Sequence, residues 1–208
     1  MVSESARLLA RPREPRLCIV SVGRSGSGYI SAVLNAAGVR CGHESWWNPL
    51  DERESNLDAD SSWCALPEVL HGAYDGPVVM QVRHPLLTIA SLTQSPDHGP
   101  YVPVREQLMG PARGDALWWA TMTWLQWTTI GEGVASDSWR VEDVDAELVG
   151  RLAWLAGRTI TREDAERAVA STSTKTNDHE TTLRLTWDDL PADLRGDVRG
   201  VAAGWGYQ

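Results

Sequence analysis

Residues 23–29 read Gly-Arg-Ser-Gly-Ser-Gly-Tyr. Small residues free the backbone N–H groups of this run, and one arginine adds a full positive charge. Between a strand and a helix, such a run aims several N–H donors at one point, and the helix N-terminus adds partial positive charge. The chemistry it serves is the holding of a phosphate or sulfate. The spacing Gly23-x-x-x-x-Gly28 matches the nucleotide-binding P-loop, which continues with lysine and then serine or threonine. Here those positions carry Tyr29 and Ile30. No lysine neutralises a β/γ-phosphate and no hydroxyl holds magnesium. The positive charge has moved into the loop, to Arg24. A second cation, Arg83, ends the run Val78-Val79-Met80-Gln81-Val82, and Ser91 follows eight residues later. A nucleotide hydrolase usually ends such a strand with Asp, to hold magnesium. Arginine instead suits an anion directly, through forked bonds to its oxygens, and a helix hydroxyl can add another. A third group, Arg40-Cys41-Gly42-His43-Glu44, sets an imidazole beside a carboxylate. His43 is a candidate general base, because an unperturbed histidine titrates near neutrality.

The elements that must position these groups are legible from periodicity. Residues 17–22, Leu-Cys-Ile-Val-Ser-Val, form a nearly continuous apolar run, as in a parallel strand covered on both faces. Ile30, Val33, Leu34 and Ala37 then fall at helical spacing, and Gly38 is a C-terminal stop. Residues 39–44 begin a second strand, and 45–62 read as a polar loop without a period. Residues 77–83 give another buried strand, with Pro85 in the first turn of the helix that follows. Residues 94–114 hold four prolines and three glycines and read as a loop, a candidate substrate lid. A tryptophan-rich helix covers 115–130, and residues 139–141 form a short strand. Asp143 or Asp145 caps a helix that stops at Gly157, and Thr161 with Asp164 resembles a capping box. Residues 187–203 read as helical, with Pro191 at an internal boundary. Strands alternating with helices predict an α/β protein: three layers, a central, mostly parallel sheet flanked by helices. Residues 1–16 read as a flexible, solvated arm and 17–208 as one domain. In such sheets ligands bind beyond the carboxyl ends of the strands, where the loops at 23–28 and 83–85 both lie.

Arg24-Ser25-Gly26-Ser27-Gly28-Tyr29 resembles the 5′-phosphosulfate loop of the sulfotransferases that use 3′-phosphoadenosine 5′-phosphosulfate (PAPS). That loop reads Lys/Arg-Ser-Gly-Thr-Thr followed by a large residue. Ser27 stands for the first threonine. Gly28 replaces the second, losing a hydroxyl but keeping the backbone donor. The resemblance implies a P-loop-like sulfotransferase fold and release of 3′,5′-ADP. Arg24 would touch the transferring sulfate, Ser25, Gly26, Ser27 and Gly28 would wrap the 5′-phosphate, and Tyr29 would pack near the adenine. It also implies that Arg83 and Ser91 hold the 3′-phosphate. The family's late Arg-Lys-Gly contact has no clear counterpart, and Lys175 is the substitute the sequence offers. Residues 139–144, Trp-Arg-Val-Glu-Asp-Val, resemble the family's short strand leading to Glu-Asp-Leu, where Glu142 and Asp143 would be caps or loop ties. The Arg-Cys-Gly-x-Glu run at 40–44 is similar to that of tyrosylprotein sulfotransferases, whose glutamate is the base. By that likeness Glu44 is the base, with His43 the second candidate. Such a transfer requires no metal.

Composition bounds the partners. The chain of 208 residues carries a net charge of −9, which disfavours a broad electrostatic grip on nucleic acid. A small polyanion needs only a few arginines in one pocket. Lysine occurs once against eighteen arginines, and phenylalanine is absent beside eleven tryptophans, which take over its packing role. Three cysteines without metal-ligand spacing fit a reducing, cytoplasmic compartment. No stretch is apolar enough to span a bilayer. The acceptor class stays open among small molecules, carbohydrates and peptides, and oligomeric state is not legible. The competing readings are a P-loop-like nucleotide kinase or NTPase and a nucleotide-binding module without catalysis.

Overall fold

The computed structural model describes residues 14–47, 53–54, 56–94, 101–111, 113–173 and 182–208. Five parallel strands form one sheet in the order β2-β3-β1-β4-β5. They are β1 (Leu17–Ser21), β2 (Cys41–His43), β3 (Ala59–Ser61), β4 (Val78–Val82) and β5 (Asp137–Arg140). The described helices are α1 (Ser27–Ala36), α2 (Ala65–Leu70), α3 (Pro85–Gln94), α4 (Tyr101–Met109), α5 (Ala116–Val134), α6 (Ala146–Leu155), α7 (Arg162–Ser171) and α8 (Arg195–Gly204). Short 3₁₀ turns lie at Val141–Asp143 and Trp187–Asp189.

The unbroken apolar runs of β1 and β4 are explained by two cores. Cys18, Val20, Met80 and Val82 face one way and meet Leu66 of α2, Ile89 of α3, Trp124 and Trp127 of α5 and Val198 of α8. Leu17, Ile19 and Val79 face the other way and meet Ile30 and Leu34 of α1, Leu152 of α6 and Ala165 of α7. The side-chain period of two therefore divides each strand between two helical layers. Each large apolar side chain buried this way stabilises the fold by about 1.5–3 kcal/mol. Six of the eleven tryptophans are buried, in keeping with a packing role. Gly131 lets α5 approach β4, since a Cβ there would lie 2.6 Å from Met80 Sδ. Among the described residues no helix is long and apolar enough to cross a membrane.

Two expectations are corrected. The segment 94–114 is not loop throughout: α4 occupies Tyr101–Met109, because Val104 packs into the core and outweighs the prolines around it. The segment 45–62 ends in a strand, β3, inserted between β2 and β1. Its sequence Ala-Asp-Ser lacks a strand's apolar signature, yet all three residues are buried. The tryptophan-rich helix also runs on to Val134, and the 187–203 segment is a 3₁₀ turn followed by α8.

Candidate functional site

β1 is central, with β3 on one side and β4 on the other. The chain leaves β1 toward β2 and β3, and reaches β5 by way of β4. The carboxyl end of β1 is thus the place where connections diverge, the usual ligand crevice of an open parallel sheet. The loop 23–28 sits there. Ser25 N–H donates to Val22 O at 3.1 Å, closing a turn. Arg24 and Gly26 both take the left-handed conformation, at φ 70° and 85°. That geometry is costly for arginine and free for glycine. No side chain caps the start of α1 among the described residues, so the helix offers its first N–H groups to an outside acceptor. Among the described residues the Ser25 hydroxyl in the same loop has no hydrogen-bond partner.

The structure brings most of the candidate residues together. Arg83 Nη1 donates to the carbonyl oxygen of Arg24 at 3.2 Å. Arg24 Nε donates to Ser91 Oγ at 3.3 Å. Both arginines are partly exposed, so a solute can reach them. Two guanidinium groups, from the ends of β1 and β4, therefore face one loop and one helix hydroxyl. On the other flank, Ser27 Oγ lies 3.0 Å from His43 Nε2, and His43 Nε2 lies 3.7 Å from Glu44 Oε1. His43 leaves 35% of its side chain exposed, and burial of the rest lowers its pKa below the ordinary 6.5. The ring is neutral at pH 7 and able to accept a proton. Tyr29 is buried against Ile30 and Val33 in the α1 core. Lys175 lies outside the described residues.

Several supporting residues escape a motif search. Gln81 Nε2 donates to Ser25 O at 2.7 Å and so holds the loop from beneath. Its signal was visible, as the one polar side chain in an apolar strand. Glu142 Oε1 accepts from His84 N–H at 3.1 Å, and Glu142 Oε2 from Tyr207 Oη at 2.8 Å. It ties the segment beside Arg83 to the C-terminal end. Asp143 instead pairs with Arg140, at 2.6 and 2.9 Å.

No family model matches the chain, and no curated protein matches it. Among solved structures it is similar to a sulfotransferase domain from the curacin biosynthetic pathway. The TM-score is 0.57 and the identity 14%, over 95% of this chain and 99% of that one. The fold is that of a sulfotransferase domain. At this identity the likeness is one of architecture, and the side chains must carry any reading of the chemistry. In this sulfotransferase-like fold, the basic loop after β1 and Arg83 just beyond β4 lie at the carboxyl ends of two adjacent inner strands.

Proposed function

We propose that this protein moves a sulfuryl group from PAPS to a hydroxyl or amine acceptor and releases 3′,5′-ADP. The observation that carries the reading is the convergence of Arg24, Arg83 and Ser91 beside an uncapped helix start, in a fold shared with a sulfotransferase domain. Two cationic groups at one loop suit a nucleotide with anions at both its 5′ and 3′ positions. PAPS, when bound, supplies the sulfuryl group. The N–H groups of 26–28 hold the 5′-phosphate, and Arg24 stabilises negative charge on the sulfuryl oxygens and on the bridging oxygen. Arg83 and Ser91 hold the 3′-phosphate. Glu44, with His43 as the alternative, takes the acceptor's proton. A bond forms from acceptor oxygen or nitrogen to sulfur as the bond from sulfur to the phosphate oxygen breaks, and its electron pair leaves with 3′,5′-ADP.

A kinase reading is disfavoured by Tyr29 and Ile30 at the positions where lysine and a hydroxyl are needed. Equilibrium binding tests the choice. We expect 3′,5′-ADP to bind without magnesium and more tightly than ADP or ATP, and Arg83→Ala to weaken 3′,5′-ADP at least tenfold more than 5′-AMP. Equal losses for both ligands would remove the 3′-phosphate role from Arg83. Magnesium-dependent preference for ATP would favour the kinase. An acceptor screen with labelled PAPS then reads turnover, and binding without turnover would leave a nucleotide-binding module.

A further inference from the structure

Asp60 is fully buried in the middle of β3, between Gly42 of β2 and Cys18 of β1. Among the described residues it has no ion-pair partner. Its carboxylate instead gathers three consecutive backbone N–H groups. Oδ1 accepts from Ser45 N–H at 3.2 Å, Oδ2 from Trp46 N–H at 3.1 Å, and the N–H of Trp47 donates as well. These groups directly follow Glu44, which stands at φ 57°, a conformation unfavourable for a residue with a side chain. Glu44 N–H itself donates to Ser61 O, 3.1 Å away on β3. The chain thus reverses out of β2 at Glu44 and is gripped on both sides of that reversal by β3.

Gly42 makes the grip possible. A Cβ at position 42 would lie 2.3 Å from Asp60 Oδ1 and 2.8 Å from Ser45 Cβ. The glycine of the 40–44 run is therefore required for space rather than for an unusual backbone angle, since its φ is not among the positive values. A buried carboxylate without a cation is a costly way to close a turn, and the cost is understandable where one side chain must be aimed.

The geometry points to Asp60 as a positioning residue for the base. Its carboxylate, admitted by Gly42, holds the amides of 45–47 and so fixes Glu44 in the left-handed conformation beside His43, whose ring meets Ser27. This inference rests on the proposed transfer reaction for its kinetic consequence, but the hold itself is measurable without an acceptor.

Asp60→Asn preserves shape while turning an N–H₂ toward the amides. Hydrogen exchange is expected to show protected amides at 45–47 in the parent protein and at least tenfold faster exchange there in the variant. In turnover, kcat is expected to fall at least tenfold while the Kd for 3′,5′-ADP stays within about twofold. In a Glu44→Gln background, Asp60→Asn is expected to add no further loss, because it acts through Glu44. Gly42→Ala provides a second route to the same phenotype with Asp60 intact, should Asp60→Asn fail to fold. Equal exchange in parent and variant overturns the hold. Additive losses in the double variant, or parallel loss of 3′,5′-ADP binding, overturn the positioning role. A parent protein that exchanges as expected but binds no 3′,5′-ADP would sink the sulfotransferase reading and with it the link to a base, leaving the grip on the turn.

Discussion

Glu44, just beyond β2, and Asp60, within β3, are two carboxylates with different tasks. Glu44→Gln removes the proton acceptor but leaves the arginines and the loop untouched. Turnover is expected to fall by at least about tenfold, in the range typical of a lost general base, while 3′,5′-ADP binding persists. Full activity in that variant would move the base to His43. Asp60 makes a prediction in pH. Burial pushes its pKa from the ordinary 3.8 up to about 6, in spite of the backbone N–H groups of 45–47. Buried Cys41 and Cys18 lie on the flanking strands, and Glu54 adds like charge. The folded state therefore holds this proton more tightly than the unfolded chain does. The Asp60 contribution to stability is greatest below about pH 4, declines as pH rises toward about 6, and is flat above. Other groups slope the opposite way: His43, with its lowered pKa, gives stability that is lost in acid. The comparison is thus urea denaturation of parent against Asp60→Asn across pH 4–7. The variant should lack the decline, and parallel curves would refute the assignment.

The helices α6 and α7 start where side chains satisfy orphan amides. Thr161 accepts from Asp164 N–H at 3.1 Å at the start of α7, and Asp145 from Leu148 N–H at 2.8 Å at the start of α6. Thr161→Ala is expected to lower stability by about 1 kcal/mol, measured by chemical denaturation. Because α7 packs against α1 and α6 through Ala165 and Ala168 and contributes none of the proposed donor contacts, 3′,5′-ADP affinity should not change. A matching loss of affinity would show that α7 helps to set the loop. Among the described residues α1 begins without a side-chain cap, as do α2 and α8, and at α1 the start lies at the anion loop. Periodicity and capping chemistry located α1, α3, α6 and α7 because those signals are local. They failed for α4, where a helix is sustained by the tertiary contacts of residues such as Val104, and for β3, whose three residues become a strand by pairing with β2 and β1.

Across the whole molecule, the C-terminal end is fastened to the site region. Tyr207 donates to Glu142, and Glu142 accepts the N–H of His84, the residue after Arg83. The His84 and Tyr207 rings lie 5.0 Å apart at 62°. Tyr207→Phe deletes one bond and keeps the ring packing. It is expected to lower stability by about 1 kcal/mol and to weaken 3′,5′-ADP binding a few-fold by loosening the segment that carries Arg83. An unchanged unfolding midpoint would mean that the tie contributes nothing.

The sequence by itself determined the buried parallel strands, the glycine-rich loop between β1 and α1, and the arginine ending β4, because these depend on residue type over a few neighbouring positions. The placement of Arg83 against the backbone of Arg24, of His43 against Ser27, and of Asp60 beneath the turn after Glu44 was decided by tertiary structure. Each joins residues from different elements or the loops that follow them. Which ones meet depends on strand order and register, with β3 inserted between β2 and β1, and no local pattern of residues encodes that order.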